Sequence, residues 1–145
     1  MANTLNLKII TPDRIVYENP VEQITAVARD GELTILPGHE PLVTTLGIDV
    51  MRFKVRGEEE VAAVIGGIME VGTSEVTIMS DVAELDVEID EARAKQAKER
   101  VEAEKTQRTD KIDVYASELA LSRAMARLKA AELGKLRKQR GGGIR

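Results

Sequence analysis

The stretch VTIMSDVAELDVEIDEARAKQAKERVEAEK, residues 76–105, changes its grammar partway along. Val76-Thr77-Ile78-Met79 is dominated by β-branched side chains, which are stiff at χ1 and suit a pleated surface. After Asp90 the chain is built of Glu, Ala, Arg, Lys and Gln, without Gly or Pro, which favours helix. Asp90 itself is placed to cap Glu91-Ala92-Arg93.

The whole sequence divides at the same border, near residue 84. Val and Ile together number 20 before it and 6 after it, while Ala rises from 6 to 10. All four prolines (Pro12, Pro20, Pro37, Pro41) and seven of the eleven glycines lie before residue 73. Residues 1–84 carry 6 basic and 14 acidic groups, whereas residues 85–145 carry 15 basic and 11 acidic groups. The overall net charge of -4 therefore averages two parts of opposite sign.

The first part reads as short strands separated by turns. Leu5-Asn6-Leu7-Lys8-Ile9 alternates, Thr11-Pro12-Asp13-Arg14 turns, and Ile15-Val16-Tyr17 restarts. Residues 21–27 form another run, and Asp30-Gly31 is a hairpin signal before Leu33-Thr34-Ile35. Residues 48–55, 61–65, 67–71 and 76–79 complete the series. A single sheet would leave one apolar face bare, so two packed layers are expected. The second part reads as two helices with a turn at Gln107-Arg108-Thr109-Asp110, the second helix stopping at Leu133 before a C′ Gly134. The expected apolar stripes are Ala94, Ala97 and Val101 on the first helix. On the second they are Ile112, Tyr115 and Leu119, with Leu121, Met125 and Leu128 nearby. Such a lean pair should be marginal alone and able to detach from the strand domain. The fold class is thus α+β, with a sandwich over 1–84 and a helical hairpin with a basic tail over 85–145.

An antiparallel hairpin turning near residue 110 sets opposite each other those residues whose numbers add to about 220. Arg93 then faces Arg127 and Arg100 faces Arg123. Four guanidiniums along one seam repel unless an anion lies between them, and guanidinium forks suit phosphate. The alternative is a solvated face of weak ion pairs with Glu99, Glu102, Glu104 and Glu118. No P-loop is present, since Gly66-Gly67 lacks the Lys and Ser/Thr of that motif. Lys135 to Arg145 carries five basic groups and no acid. It reads as a helix extension favoured by the dipole or as a grip on an acidic partner, with the glycines from Gly141 to Gly143 expected to be disordered.

Other chemistries are disfavoured. With no Cys and one His, disulfide scaffolds, thiolate sites, thiol nucleophiles and multi-His metal sites are excluded. Three aromatics (Tyr17, Phe53, Tyr115) do not make a stacking platform for nucleic acid. His39 within Pro37-Gly38-His39-Glu40-Pro41 reads as structural, and an enzyme reading finds no nucleophile–base pair. The carboxylates Glu58, Glu59 and Glu60 read as a solvated hairpin tip. No signal-peptide run and no stretch of ~20 apolar residues is seen, so a soluble intracellular chain is expected.

Thr11-Pro12-Asp13-Arg14, the run Gly31-Glu32-Leu33-Thr34-Ile35-Leu36-Pro37-Gly38-His39-Glu40-Pro41-Leu42-Val43, Ile65-Gly66-Gly67 and the helical pattern after Ala83 carry a resemblance. Over essentially its whole length the chain resembles the epsilon subunit of the bacterial F-type ATP synthase. Thr34 stands where that family often has Gly, and Glu40 where it often has Ala. The resemblance implies a two-layer antiparallel β-sandwich followed by a two-helix hairpin. It also implies a non-catalytic central-stalk subunit of a proton-translocating enzyme, peripheral on the cytoplasmic face of the cell membrane. The implied partners are the gamma subunit, the c-ring and the alpha/beta catalytic head. In the family the hairpin lies on the sandwich or extends into the head, where it inhibits ATP hydrolysis.

Some members bind ATP, without hydrolysing it, through an Ile/Leu-Asp-x-x-Arg-Ala motif, which Ile89-Asp90-Glu91-Ala92-Arg93-Ala94 matches. By that pattern Ile89 and Ala94 flank the base, and Glu84 and Asp90 contact the nucleoside. Arg93, Arg100, Arg123 and Arg127 hold the phosphates. Participation of Mg²⁺ is left open. A free-standing ATP sensor with no motor attached is the alternative.

Overall fold

A computed structural model describes residues 3–105 and 111–141 of the chain. Eight strands come first: β1 (Leu5–Ile10), β2 (Ile15–Val21), β3 (Gln23–Ala28), β4 (Gly31–Ile35), β5 (Leu42–Val55), β6 (Glu58–Val71), β7 (Glu75–Met79) and β8 (Ala83–Leu85). A 3-10 turn at Asp86–Glu88 leads into α1 (Glu91–Lys105) and α2 (Lys111–Gly141). The expected inter-helix turn at Gln107–Asp110, the side chain of Ile112 and the tail after Gly141 lie outside the described residues.

The sandwich is organised by one hairpin. β5 and β6, fourteen residues each, pair from Leu42↔Val71 to Val55↔Glu58. One end of this ladder carries β7, β1 and β2 (Ile68↔Met79, Ile9↔Ile78, Ile9↔Tyr17), and the other carries β3, β4 and β8 (Ile24↔Phe53, Ile24↔Ile35, Ala63↔Glu84). The ladder thus contributes to both layers. Its tip is Arg56-Gly57, both at positive φ (52° and 79°), the geometry of a two-residue type I′ turn. The expected hairpin at Asp30-Gly31 joins β3 to β4, with Gly31 at φ 135°.

The expected run 21–27 is divided, Val21 ending β2 and Gln23 opening β3, the expected strand 48–55 starts earlier, at Leu42, and two further details differ from the sequence expectation. Residues 61–65 and 67–71 are one continuous strand, because Gly66 (φ 70°) and Gly67 (φ 126°) let β6 bend without ending. The pairings are antiparallel with one exception: β1 and β7 run parallel. That is possible because these two strands are joined through the whole intervening sandwich and not by a tight turn.

Leu5, Leu7, Ile9, Ile24, Ile35, Met51, Phe53, Met69, Val76 and Ile78 fill the space between the layers. Phe53 packs at 4.7 Å from the ring of Tyr17, tilted by 54°. A second, smaller cluster lies on the outside. Val50, Val61 and Ala63 project from the far face of β5 and β6 and meet Ala130, with Ile89 and Leu133 packed alongside. Residues 61–65 are therefore buried on both faces, which explains their unbroken apolar run.

α2 lies on that outer face and α1 packs antiparallel on α2, with Glu91 paired to Lys135. Their contact is made by small side chains: Ala94 on α1, and Ser117, Ala124, Ala126, Ala130 and Ala131 on α2, are buried. Tyr115 (64% exposed) and Met125 (51%) are turned outward, against the expected stripe. Alanine lets helix backbones and the sheet approach closely, so the large residues are left on the far side. Gly134 does not stop α2, which runs on to Gly141.

The link to the helices is tied back to the sandwich. Arg14, in the β1–β2 turn, places Nη2 2.8 Å from Glu88 Oε1, and the Leu85 N–H donates to Glu88 Oε2 at 3.0 Å. The hydrogen bond from Arg14 holds the Glu88 carboxyl below its ordinary value of 4.5.

Two outcomes follow. Gly67→Ala would set a methyl group 2.2 Å from the Met79 carbonyl oxygen at a strained φ, and should cost more than about 2 kcal/mol in denaturant unfolding. Glu88 has a depressed folded pKa, so its tie stabilises the chain above pH 4.5 and is lost as the pH falls through the lower folded value. Glu88→Gln should therefore lower the melting temperature at pH 7, with the difference from the parent shrinking below pH 4.5.

Candidate functional site

Where the sandwich hands over to the helices, three elements enclose a cleft of about 310 Å³ lined by Glu84, Glu88, Asp90, Arg93, Ala94, Ala97 and Arg127. Its volume is at the lower end of what small-molecule sites occupy. Each side chain has a local reason for its position. Glu84 pairs with Ala63 across the β6–β8 ladder, and cross-strand partners share a face, so Glu84 stands on the outer face where the helices lie. Asp90 caps α1: its Oδ1 accepts from the Arg93 N–H at 3.1 Å and its carbonyl from the Ala94 N–H at 3.0 Å. Ala94 is 5% exposed, small enough for α2 to pass close to the base of α1. Arg127 comes from α2, and its Nε donates to Glu84 Oε2 at 3.0 Å.

Five of the eight residues singled out from the sequence thus line one cleft: Glu84, Asp90, Arg93, Ala94 and Arg127. Three do not. Ile89 is turned into the cluster formed by Val50, Val61, Ala63 and Ala130, because the apolar outer face of the sheet is the better environment for it. Arg100 lies two turns further along α1 and pairs with Glu104 at 3.1 Å. Arg123 lies one turn before Arg127 on α2 and is exposed. The arithmetic that set Arg93 opposite Arg127 agrees with their sharing the cleft.

Two lining residues were missed. Glu88 reaches the cleft because the 3-10 turn and the Arg14 contact fix it there, and neither has a periodic signal in the sequence. Ala97 follows Ala94 by three positions and so shares its helix face, but it was read only as part of an apolar stripe.

The chemistry of the cleft is mixed. Three carboxylates and two guanidiniums line it, and the half-buried guanidinium of Arg127 is paired with Glu84. Such a lining can offer acceptors to the hydroxyls and amines of a polar ligand and fork-like donors to an anion. Groups from the sandwich, α1 and α2 all take part, so any ligand seated here would bridge the two domains.

Comparison with known proteins agrees with this architecture. Residues 4–86 match the family model of the ATP synthase delta/epsilon chain β-sandwich domain, and residues 88–132 match that of its long α-helix domain. The chain is 42% identical over 132 residues to the ATP synthase epsilon chain of Desulforamulus reducens, covering 91% of this chain and 100% of that one. It is 44% identical to the epsilon chain of Bacillus licheniformis, covering 88% and 98% of the two chains. Among solved structures it is similar to a chain of the Euglena gracilis mitochondrial ATP synthase assembly of OSCP, F1 and c-ring (TM-score 0.76, 28% identity, 89% of this chain and 81% of that one). A chain of the Tetrahymena thermophila central stalk and c-ring shares the fold alone (TM-score 0.55, 15% identity, 88% of this chain and 96% of that one). With both domains matched in order and with relatives covered almost end to end, the chain belongs to the ATP synthase delta/epsilon-chain family.

Proposed function

We propose that the chain is a non-catalytic central-stalk subunit of an F-type ATP synthase whose helical hairpin is a regulatory element sensitive to ATP. The observation that carries the reading is the cleft between the sandwich and the hairpin. It gathers Glu84, Asp90, Arg93 and Arg127 from three separate elements, so a ligand held there stabilises the docked hairpin and no other arrangement.

The residues present fit ATP. Carboxylates of Glu84 and Asp90 are available to the nucleoside, beside the small Ala94 that leaves room for a flat base. Arg93 and Arg127 are available to phosphate oxygens, Arg127 after exchanging or sharing its contact with Glu84. Arg100 is seven residues beyond Arg93, roughly 10 Å along the helix axis, with Arg123 on the neighbouring helix. A chain of phosphates, and not a single one, bridges a span of that order. Binding to the docked form alone stabilises it by RT ln(1 + [ATP]/Kd), about 2.7 kcal/mol at a hundredfold excess over Kd. When ATP is scarce that added stabilisation is lost, and the hairpin is more readily drawn out towards an acidic surface of the catalytic head, where it blocks hydrolysis.

A second feature favours a stalk subunit over a free-standing sensor. On the outer face of the other layer, Ile15, Ile10, Met79 and Ile68 are consecutive cross-strand partners, forming an apolar row across β2, β1, β7 and β6. Ile15, Met79 and Ile68 are 50%, 42% and 43% exposed. Contiguous exposed apolar surface of this kind marks an interaction face, and we assign it to the gamma subunit. The loop Pro37–Pro41 and the sandwich end are assigned to the c-ring. On this reading the chain is held peripherally at the membrane through its complex; among the described residues no helix is long and apolar enough to cross a bilayer.

ATP titration of the full chain by calorimetry, with compaction followed by scattering, tests the regulatory reading. Arg93→Ala and Arg127→Ala should each weaken ATP by tenfold or more, and unchanged affinity in either would remove the site assignment. For the stalk reading, Ile68→Lys together with Met79→Glu should weaken capture of a gamma-type partner by at least tenfold while leaving ATP binding as it was.

A further inference from the structure

Beyond residue 132, where the match to the long-helix domain stops, α2 continues to Gly141. This last stretch makes its own contact with the sandwich, away from the nucleotide cleft. Leu133 packs against Val50, Val61 and Ala63. Gly134 lies directly on Asp86: a Cβ at that position would stand 2.1 Å from Asp86 Oδ2, 2.8 Å from its Cγ and 2.9 Å from its Cβ. One turn later Arg137 is enclosed by acceptors. It pairs with the Glu60 carboxylate, donates to the Glu59 carbonyl oxygen at 3.0 Å and lies 3.7 Å from Asp86 Oδ2. The Asp86 side chain is only 4% exposed and that of Arg137 23%. Burial by itself would pull the Arg137 pKa down, but the hydrogen bond and charge of Glu60, with Asp86 and Glu58, raise it above its ordinary value.

These contacts have a common logic. Residues 130, 133, 134 and 137 fall on one helical face. Their counterparts are the β5–β6 ladder, the acidic first residues of β6 that follow Gly57, and the first residue of the 3-10 turn. None of these counterparts belongs to α1 or lines the nucleotide cleft, while Lys135 in the same stretch reaches Glu91 at the start of α1. A glycine inside a helix costs about 1 kcal/mol relative to alanine, so Gly134 is retained against local propensity in exchange for close approach. Glu58–Glu60, expected as a solvated hairpin tip, are instead the paired first residues of β6 and meet the basic end of α2, so Arg137 is covered by the chain's own carboxylates.

We propose that residues 133–137 form a clasp that holds the hairpin on the sandwich without nucleotide and sets the resting balance between docked and released hairpin. In this balance ATP is a second, additive restraint. While the clasp is shut, Arg137 is withheld from any acidic surface of a partner. The proposal goes beyond the ATP reading and rests on it only in assuming that the hairpin can leave the sandwich.

The chain has no cysteine, so a dye pair placed at Thr73→Cys on the sandwich and Gln139→Cys on α2 reports the separation directly by energy transfer. Without ATP the parent should be mostly closed. Gly134→Ala and Arg137→Gln should each lower the closed-to-open ratio about tenfold, the first in spite of its better helix propensity. Pairing Arg137→Glu with Glu60→Arg should close the hairpin more than Arg137→Glu alone. A strand signal and sandwich melting temperature like the parent's show that each variant is folded, and Arg137→Gln, a surface-edge change, provides this where Gly134→Ala does not. An open parent without ATP, or an unchanged distance distribution in both single variants, overturns the clasp. Arg93→Ala separates the two readings. It should keep ATP-free closure and lose the response to ATP, whereas a retained response would overturn the nucleotide site and leave the clasp standing.

Discussion

Everything in this molecule hangs on the β5–β6 ladder. Fourteen residues of each strand pair along their length, and the ladder bends at Gly66-Gly67 so that its two ends join different layers. Its inner face supplies Met51, Phe53, Ala62 and Val64 to the core, while its outer face supplies Val50, Val61 and Ala63 to the helices. A strand with one solvated face would have fixed the sandwich alone. Apolar residues on both faces fix the sandwich and also a landing surface for α2.

What lands there is deliberately small. Alanines and one glycine make the contact, so little apolar area is buried per turn and the docked state is held by modest forces. Around this thin apolar strip lies a ring of charge pairs: Arg127 with Glu84, Lys129 with Asp49, Lys135 with Glu91, and Arg137 with Glu60. The more exposed of these, Lys129 with Asp49 and Lys135 with Glu91, contribute little individually. Their arrangement still matters, because a basic helix is set against an acidic domain and the two charges seen as a near-cancelling total are in contact. An element held this way is suited to two discrete arrangements.

The cleft between sandwich and hairpin is a consequence of that docking. None of its residues forms a site within its own element: Glu84 is at a strand end, Asp90 is a helix cap, and Arg127 is one turn of a long helix. The motif Ile89–Ala94 was legible as a string, and the hairpin arithmetic set Arg93 opposite Arg127. The string did not show that Ile89 turns into the apolar cluster on the sheet. Nor did it show that Glu88 is carried to the cleft by Arg14, seventy-four positions away.

The sequence by itself determined the two-domain order, the strand periodicity, the hairpin at Asp30-Gly31, the helix start at Asp90 and the charge asymmetry. These follow from local rules, in which side-chain shape, turn chemistry and capping act within a few residues. The tertiary structure alone decided which helix face is buried, that Gly134 continues α2 and does not end it, that β6 bends and does not break, and that β1 and β7 run parallel. Each depends on what lies across a contact from a distant part of the chain. Gly134 would end a helix in isolation, since glycine favours a C′ position. Here the helix runs on because the next turn is held by Lys135 on Glu91 and Arg137 on Glu60, while Asp86 fills the space a side chain at 134 would need, and a rule confined to neighbouring residues holds no information about those contacts.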